Sequence, residues 1–128
     1  MKDYFNFIDR QPATRIPDFM AVSDAALICL SKSKVFSITL PAKTQSCLAC
    51  GIPVLVSADG EIQDVIHRAG AGLCSGAGDA VALASNIIKF VGLSDEKRNS
   101  MRQNALIYYK INFNKEKLLN RMDKWFSK

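Results

Sequence analysis

The segment Pro41-Ala42-Lys43-Thr44-Gln45-Ser46-Cys47-Leu48-Ala49-Cys50-Gly51-Ile52-Pro53-Val54-Leu55-Val56-Ser57 constrains the fold more than any other part of the chain. It predicts a short helix that opens on a proline and closes on a glycine, with a second proline and a buried strand directly behind it. Proline is tolerated in a helix's first turn, and glycine takes the left-handed position past its end. The free N–H groups of that first turn and the positive end of the helix dipole make a natural anion site. Lys43 stands in the same turn, where a cation is ordinarily disfavoured. A bound phosphate reverses that cost.

The rest of the chain alternates in the same way. Residues 5–8 alternate weakly and read as a first strand or a frayed lead-in. Ile16–Val22 reads as a short helix with Pro17 in its first turn. The apolar run 25–30 has the signature of a parallel strand covered on both faces. A loop over 31–40 leads to the opening helix, and 54–56 is the next buried strand. Asp59 is the predicted N-cap of a helix whose Ile62, Val65, Ile66 and Ala69 fall at i, i+3, i+4 and i+7, so one face is buried. Gly70 ends that helix, and 71–74 is a short strand. Asp79 caps a helix that stops at Gly92, Ser94 caps one reaching about Tyr109, and Asn114 caps the last. In that last helix Leu118, Leu119, Met122, Trp125 and Phe126 form a stripe expected to face inward, either as core or as the surface that packs on parts of the fold missing from this chain. The pattern implies an open, doubly wound parallel sheet with helices on both faces and additional helices at the C-terminus.

At 128 residues the chain is the size of one domain, with 48% apolar and 23% charged residues, ordinary for a soluble protein. No apolar run approaches the length needed to span a bilayer, and the N-terminus has no secretory pattern, so the expected location is cytoplasmic. The net charge of +5 includes a loose basic concentration over 97–128, read as a solvated helix surface rather than a face for anionic lipid or a polyanion. Cys47 and Cys50 form a C-x-x-C pair, but Cys47 falls inside the predicted helix and His67 is the only histidine. All four cysteines therefore read as structural thiols, with Cys29 and Cys74 in buried strands. His67 lies on the polar side of its helix, and Asp24 reads as a helix-end residue. The near-match Gly76-Ala77-Gly78-Asp79-Ala80-Val81 to a dinucleotide fingerprint lacks its final small residue and the right opening strand.

The order of these elements resembles the C-terminal, donor-nucleotide half of bacterial glycosyltransferases with the two-domain B-type fold, a Rossmann-like domain. The resemblance is to the group-1 retaining family of the capsule and O-antigen type. It is carried by residues 16–27, which resemble the family's helix ending in an alanine-aspartate pair before a strand, and by Pro41-x-Lys43-x-Gln45-Ser46 followed by Ala49-Cys50-Gly51-x-Pro53-Val54. Asp59-Gly60-Glu61, Ala69-Gly70-Ala71-Gly72, Gly78-Asp79 and the aromatic set Tyr108, Tyr109 and Phe113 continue it, so that it covers about residues 9–126.

What the resemblance implies is an enzyme, a hexosyl- or acetamidosugar transferase. Its substrate is a nucleotide-diphosphate sugar and its acceptor a saccharide or lipid-linked group, with no cofactor and no metal. Lys43, Thr44, Gln45 and Ser46 would face phosphate or ribose, the 32–38 loop would lie near the diphosphate and sugar, and Gly60 and Glu61 would sit close to the donor sugar. Many members carry two glutamates eight residues apart; here those positions hold Ile38 and Ser46, so ribose recognition falls to Gln45 or Ser46 and no catalytic residue is nominated. The family also carries an N-terminal acceptor domain and earlier β-α units. The chain is therefore expected to be a partial donor domain over 1–128, folded but inactive alone, with an open strand edge that favours self-association. Peripheral contact with the inner membrane is expected for a full-length protein. The competing readings are a non-catalytic sugar-nucleotide-binding module and a sugar-nucleotide 2-epimerase, which needs carboxylates and a histidine in its cleft.

Overall fold

The computed structural model describes residues 2–127, and its centre is a three-stranded parallel sheet in the order β1 (Ala26–Cys29), β2 (Val54–Ser57), β3 (Gly72–Ser75). Ile28 is in register with Val56, and Val56 with Cys74. Before the sheet runs α1 (Ile16–Val22), with Pro17 in its first turn. Between β1 and β2 lie a single helical turn, α2 (Lys34–Ser37), and then α3 (Ala42–Ala49); α4 (Glu61–Ala69) links β2 to β3. The chain continues into α5 (Ala80–Val91), α6 (Asp95–Asn112) and α7 (Lys115–Phe126).

The doubly wound reading holds, and the packing shows why. Parallel strands joined by right-handed crossovers that step in one direction place α3 and α4 on one face of the sheet. On that face α6 packs along α3 and touches α4, while α5 lies against β2 and β3 on the other face. The core fills the first of these layers: Leu48, Ile52, Val54, Val56, Ile62 and Ile66 are fully buried, with Ala105 of α6 closing over them. Burying such side chains contributes about 1.5–3 kcal/mol each relative to exposure. The predicted inward face of α4, Ile62, Val65, Ile66 and Ala69, is buried throughout, and the helix ends on Gly70 in the left-handed conformation.

Several local expectations are corrected. The 25–30 run is not covered on both sides: β1 is an edge strand, with Ile28 buried but Leu27 53% exposed and Cys29 exposed. The cause is that α5 packs against β2 and β3, so the residues of β1 that point to its side remain open. Residues 5–8 form no strand. The 31–40 loop contains α2, and α6 runs three residues beyond Tyr109. The stripe on α7 is not part of the core: none of its residues is buried. No helix among the described residues is long and apolar enough to cross a membrane.

Candidate functional site

In a parallel sheet every helix that follows a strand begins at the strands' carboxyl edge, and this is where doubly wound folds hold ligands. Here α3, α4 and α5 all open on that edge. How their N-termini are satisfied differs. Asp79 caps α5 by accepting the N–H of Ala82 at 2.9 Å, and Ser94 and Asn114 cap α6 and α7 in the same way. Pro41 and Gly60, the N-cap residues of α3 and α4, supply no side-chain cap. The short α1 and α2 are likewise uncapped. Two helix starts at the ligand edge thus keep N–H groups that no capping side chain matches; Glu61 and Asp64 in the first turn of α4 oppose its dipole, whereas α3 has no acid there.

Asp59 does not cap α4. Its carboxylate turns to the neighbouring loop and accepts the backbone N–H of Ala77 at 3.0 Å. Gly60 takes the cap position with φ +84°, a conformation that side chains resist. A Cβ there would run into the carbonyl oxygen of Ser37, so the end of α2 sits directly against the start of α4. This close approach forms a shallow cleft of about 320 Å³ lined by Lys32, Ser33, Lys34, Ser37 and Asp59. Two lysines and two hydroxyls against a single carboxylate give it a net attraction for anions. Gln63, in the first turn of α4, donates to the carbonyls of Ala58 and Ser75 and so fixes the ends of β2 and β3.

The expected donor residues divide. Lys43, Gln45 and Ser46 are exposed on α3, and the Ser46 hydroxyl donates to the Ala42 carbonyl at 3.4 Å. Thr44, by contrast, is fully buried, and its Oγ1 has no hydrogen-bond partner among the described residues. Such a hydroxyl costs about 1–3 kcal/mol. Gly60 sits at the cleft wall. Glu61 is directed elsewhere, into an exposed ion pair with Arg68 at 3.2 Å, on a surface of α4 that also carries Asp64 and His67. That surface is separate from the lysine cleft.

A family model, that of the group 1 glycosyl transferases, matches residues 1–107. The chain belongs to that family. No curated protein and no solved structure gives a significant match. A transferase role at this coarse level follows from the family. Its matched region takes in the sheet, the lysine cleft and all of α3 and α4, and it ends before α7.

Two features of this glycosyltransferase domain escaped the sequence reading. The partnership of α2 with Gly60 depends on residues 23 positions apart; only the glycine after Asp59 hinted at it. The Asp59–Ala77 bridge was hidden because aspartate before a helix ordinarily signals a cap. The cysteines split by environment. Cys47 is fully buried, and burial first, then the neighbouring Cys50, pushes its thiol up, against a smaller lowering by Lys43. Burial raises Cys74 to about 11. Neither carries the low-pKa thiolate that a redox C-x-x-C site uses.

Proposed function

We propose that the carboxyl edge of this glycosyltransferase domain binds the diphosphate of a nucleotide-diphosphate sugar. The observation that carries the reading is the pair of uncapped helix starts, α3 and α4, placed at the same sheet edge as the cleft of Lys32 and Lys34. Backbone N–H groups at helix starts and lysine ammonium groups are two of the donor types that hold phosphate without a metal. In this reading Lys32, Lys34 and Lys43 supply charge, and Ser33, Ser37, Gln45 and Ser46 supply hydrogen bonds to phosphate, ribose or sugar. Asp59 keeps the cleft in shape. The family resemblance extends the proposal to transfer of a hexosyl or acetamidosugar group to a saccharide or lipid-linked acceptor, of the capsule and O-antigen type.

Calorimetric and NMR titration with uridine and guanosine diphosphates tests it. Binding should weaken as salt rises, because exposed charges are screened. Lys32→Ala with Lys34→Ala should weaken it by about tenfold or more, the scale of one or two lost charge-assisted contacts. No heat and no chemical-shift change with either nucleotide would overturn the proposal.

A further inference from the structure

The lysine cleft has one tied wall and one free wall. On the Asp59 side the carboxylate accepts the Ala77 N–H, and Gln63 ties the ends of β2 and β3. The opposite wall is the segment 31–39, which contains α2, and no hydrogen bond among the described residues joins it to the rest of the chain. Its bonds are internal. The Ser37 N–H donates to the Ser33 carbonyl at 3.0 Å, the Ser37 hydroxyl to the Lys34 carbonyl at 2.7 Å, and the Thr39 hydroxyl to the Val35 carbonyl at 2.7 Å. No residue of α2 is buried, and Val35 and the adjoining Ile38 are 64% and 75% exposed. The anchors lie just outside the segment. The Leu30 N–H donates to the Ser57 carbonyl at 2.9 Å, and Leu30 and Leu40 both pack against the core. A preformed turn between two fixed ends, with few contacts of its own, opens at low free-energy cost.

What the turn touches gives this freedom a use. The Ser37 carbonyl lies against Gly60, in the space that a side chain there would fill. Among the described residues that carbonyl receives no hydrogen bond, and the N–H groups of Gly60, Glu61 and Ile62 donate none. We propose that 31–39 is a hinged strap, closed over the start of α4 in the free domain, and that a diphosphate entering the cleft takes the place of the Ser37 carbonyl. The strap swings outward as a unit about Leu30 and Leu40, carrying Lys32 and Lys34 onto the outer side of the phosphates. This inference rests on the reading of the carboxyl edge as a diphosphate site. The driving difference lies between two oxygens. A phosphate oxygen carries charge and accepts from the free N–H groups of the helix start, whereas the carbonyl carries only a partial charge and accepts from none. A ligand shifts such an equilibrium only through a differential affinity of this kind. Gly60 allows the close approach of the carbonyl and leaves the same space to the ligand once the strap has moved.

NMR of the full chain, titrated with uridine and guanosine diphosphates alongside calorimetry, tests the strap. In the free chain a nuclear Overhauser cross-peak should join an α-proton of Gly60 to the α-proton of Ser37, whose Cα lies in the same contact. Amides 31–39 should show microsecond-to-millisecond exchange that the amides of β2 lack. At saturating nucleotide the Gly60–Ser37 cross-peak should be lost, while the cross-peaks within the turn from Lys34 to Ser37 remain. Lys34→Ala should keep the free-state cross-peak and weaken binding by about threefold, the scale of one exposed charge contact. Heat of binding with the Gly60–Ser37 cross-peak retained overturns the strap and leaves the diphosphate site standing. Binding that also erases the cross-peaks within the turn overturns it too, because α2 then melts instead of moving. No heat with either nucleotide overturns the site and the strap together.

Discussion

The Asp59 carboxylate holds the backbone N–H of Ala77 at 3.0 Å, joining the loop that opens α4 to the loop that opens α5. The bond is partly buried and charge-assisted, so its loss is felt beyond the loop itself. Asp59→Ala should destabilise the domain by about 1–2 kcal/mol in urea denaturation. Asp59→Asn keeps an oxygen acceptor and should recover most of that loss. Equal losses in the two variants would show that the charge beside Lys32 and Lys34, rather than the bridge, supports the fold.

Gly60 makes a second, sharper prediction. Its φ of +84° and its contact with the Ser37 carbonyl leave no room for a side chain. Gly60→Ala should cost about 2 kcal/mol or more from backbone strain and the displaced α2. Because α2 carries one wall of the lysine cleft, the variant should also bind nucleotide diphosphate more weakly at temperatures where it remains folded. A thermal melt paired with titration checks both. An unchanged melting temperature would mean that α2 moves aside freely.

What the sequence made legible follows from where the information lies. The helix from Pro41 to Gly51, the buried face of α4 and the caps Asp79, Ser94 and Asn114 are encoded within a few residues of one another, and each was readable. Burial of β1 was not, because an apolar run cannot say whether its neighbour is present: Leu27 is apolar in either case, and only the reach of α5 decides its exposure. The choice between core and packing surface for the stripe of α7 was not legible for the same reason, since periodicity shows that a face is apolar and not what it meets. For the site, the choice of α3 and of the segment at Gly60 rested on local patterns. The pairing of α2 with Gly60 and of Asp59 with Ala77 is tertiary, set by strands lying side by side.

The four thiols should separate into two classes. Cys29 and Cys50 are exposed, whereas Cys47 is buried and Cys74 partly so. With a colourimetric disulfide reagent near neutral pH, two should react promptly and two only as fast as the domain opens. Burial also gives Cys74 a pH signature. Its thiol ordinarily ionises near 9.0 and is raised to about 11 in the fold, so the native state holds its proton over a range where the unfolded chain has lost it. The stability this contributes is complete below pH 9 and is lost as pH rises toward 11. The stability difference between the natural chain and Cys74→Ala should therefore shrink across that range. A constant difference would contradict the burial of the thiol.

Thr44 offers a prediction in which stability moves and binding does not. It lies in the first turn of α3, fully buried, with an Oγ1 that no described group satisfies. Thr44→Val replaces that hydroxyl with a methyl of nearly the same shape and removes the cost of an unpaired polar atom. The free domain should gain about 1 kcal/mol, read as a higher urea midpoint with an unchanged slope. Serine at this position keeps the hydroxyl but loses the methyl contact, so Thr44→Ser should lose about 1 kcal/mol by opening a small void. Nucleotide-diphosphate binding should stay near the natural value in both variants, because a fully buried hydroxyl is out of reach of a ligand at the sheet edge. A valine variant that is less stable than the natural chain would show that the Thr44 hydroxyl is satisfied within the folded domain.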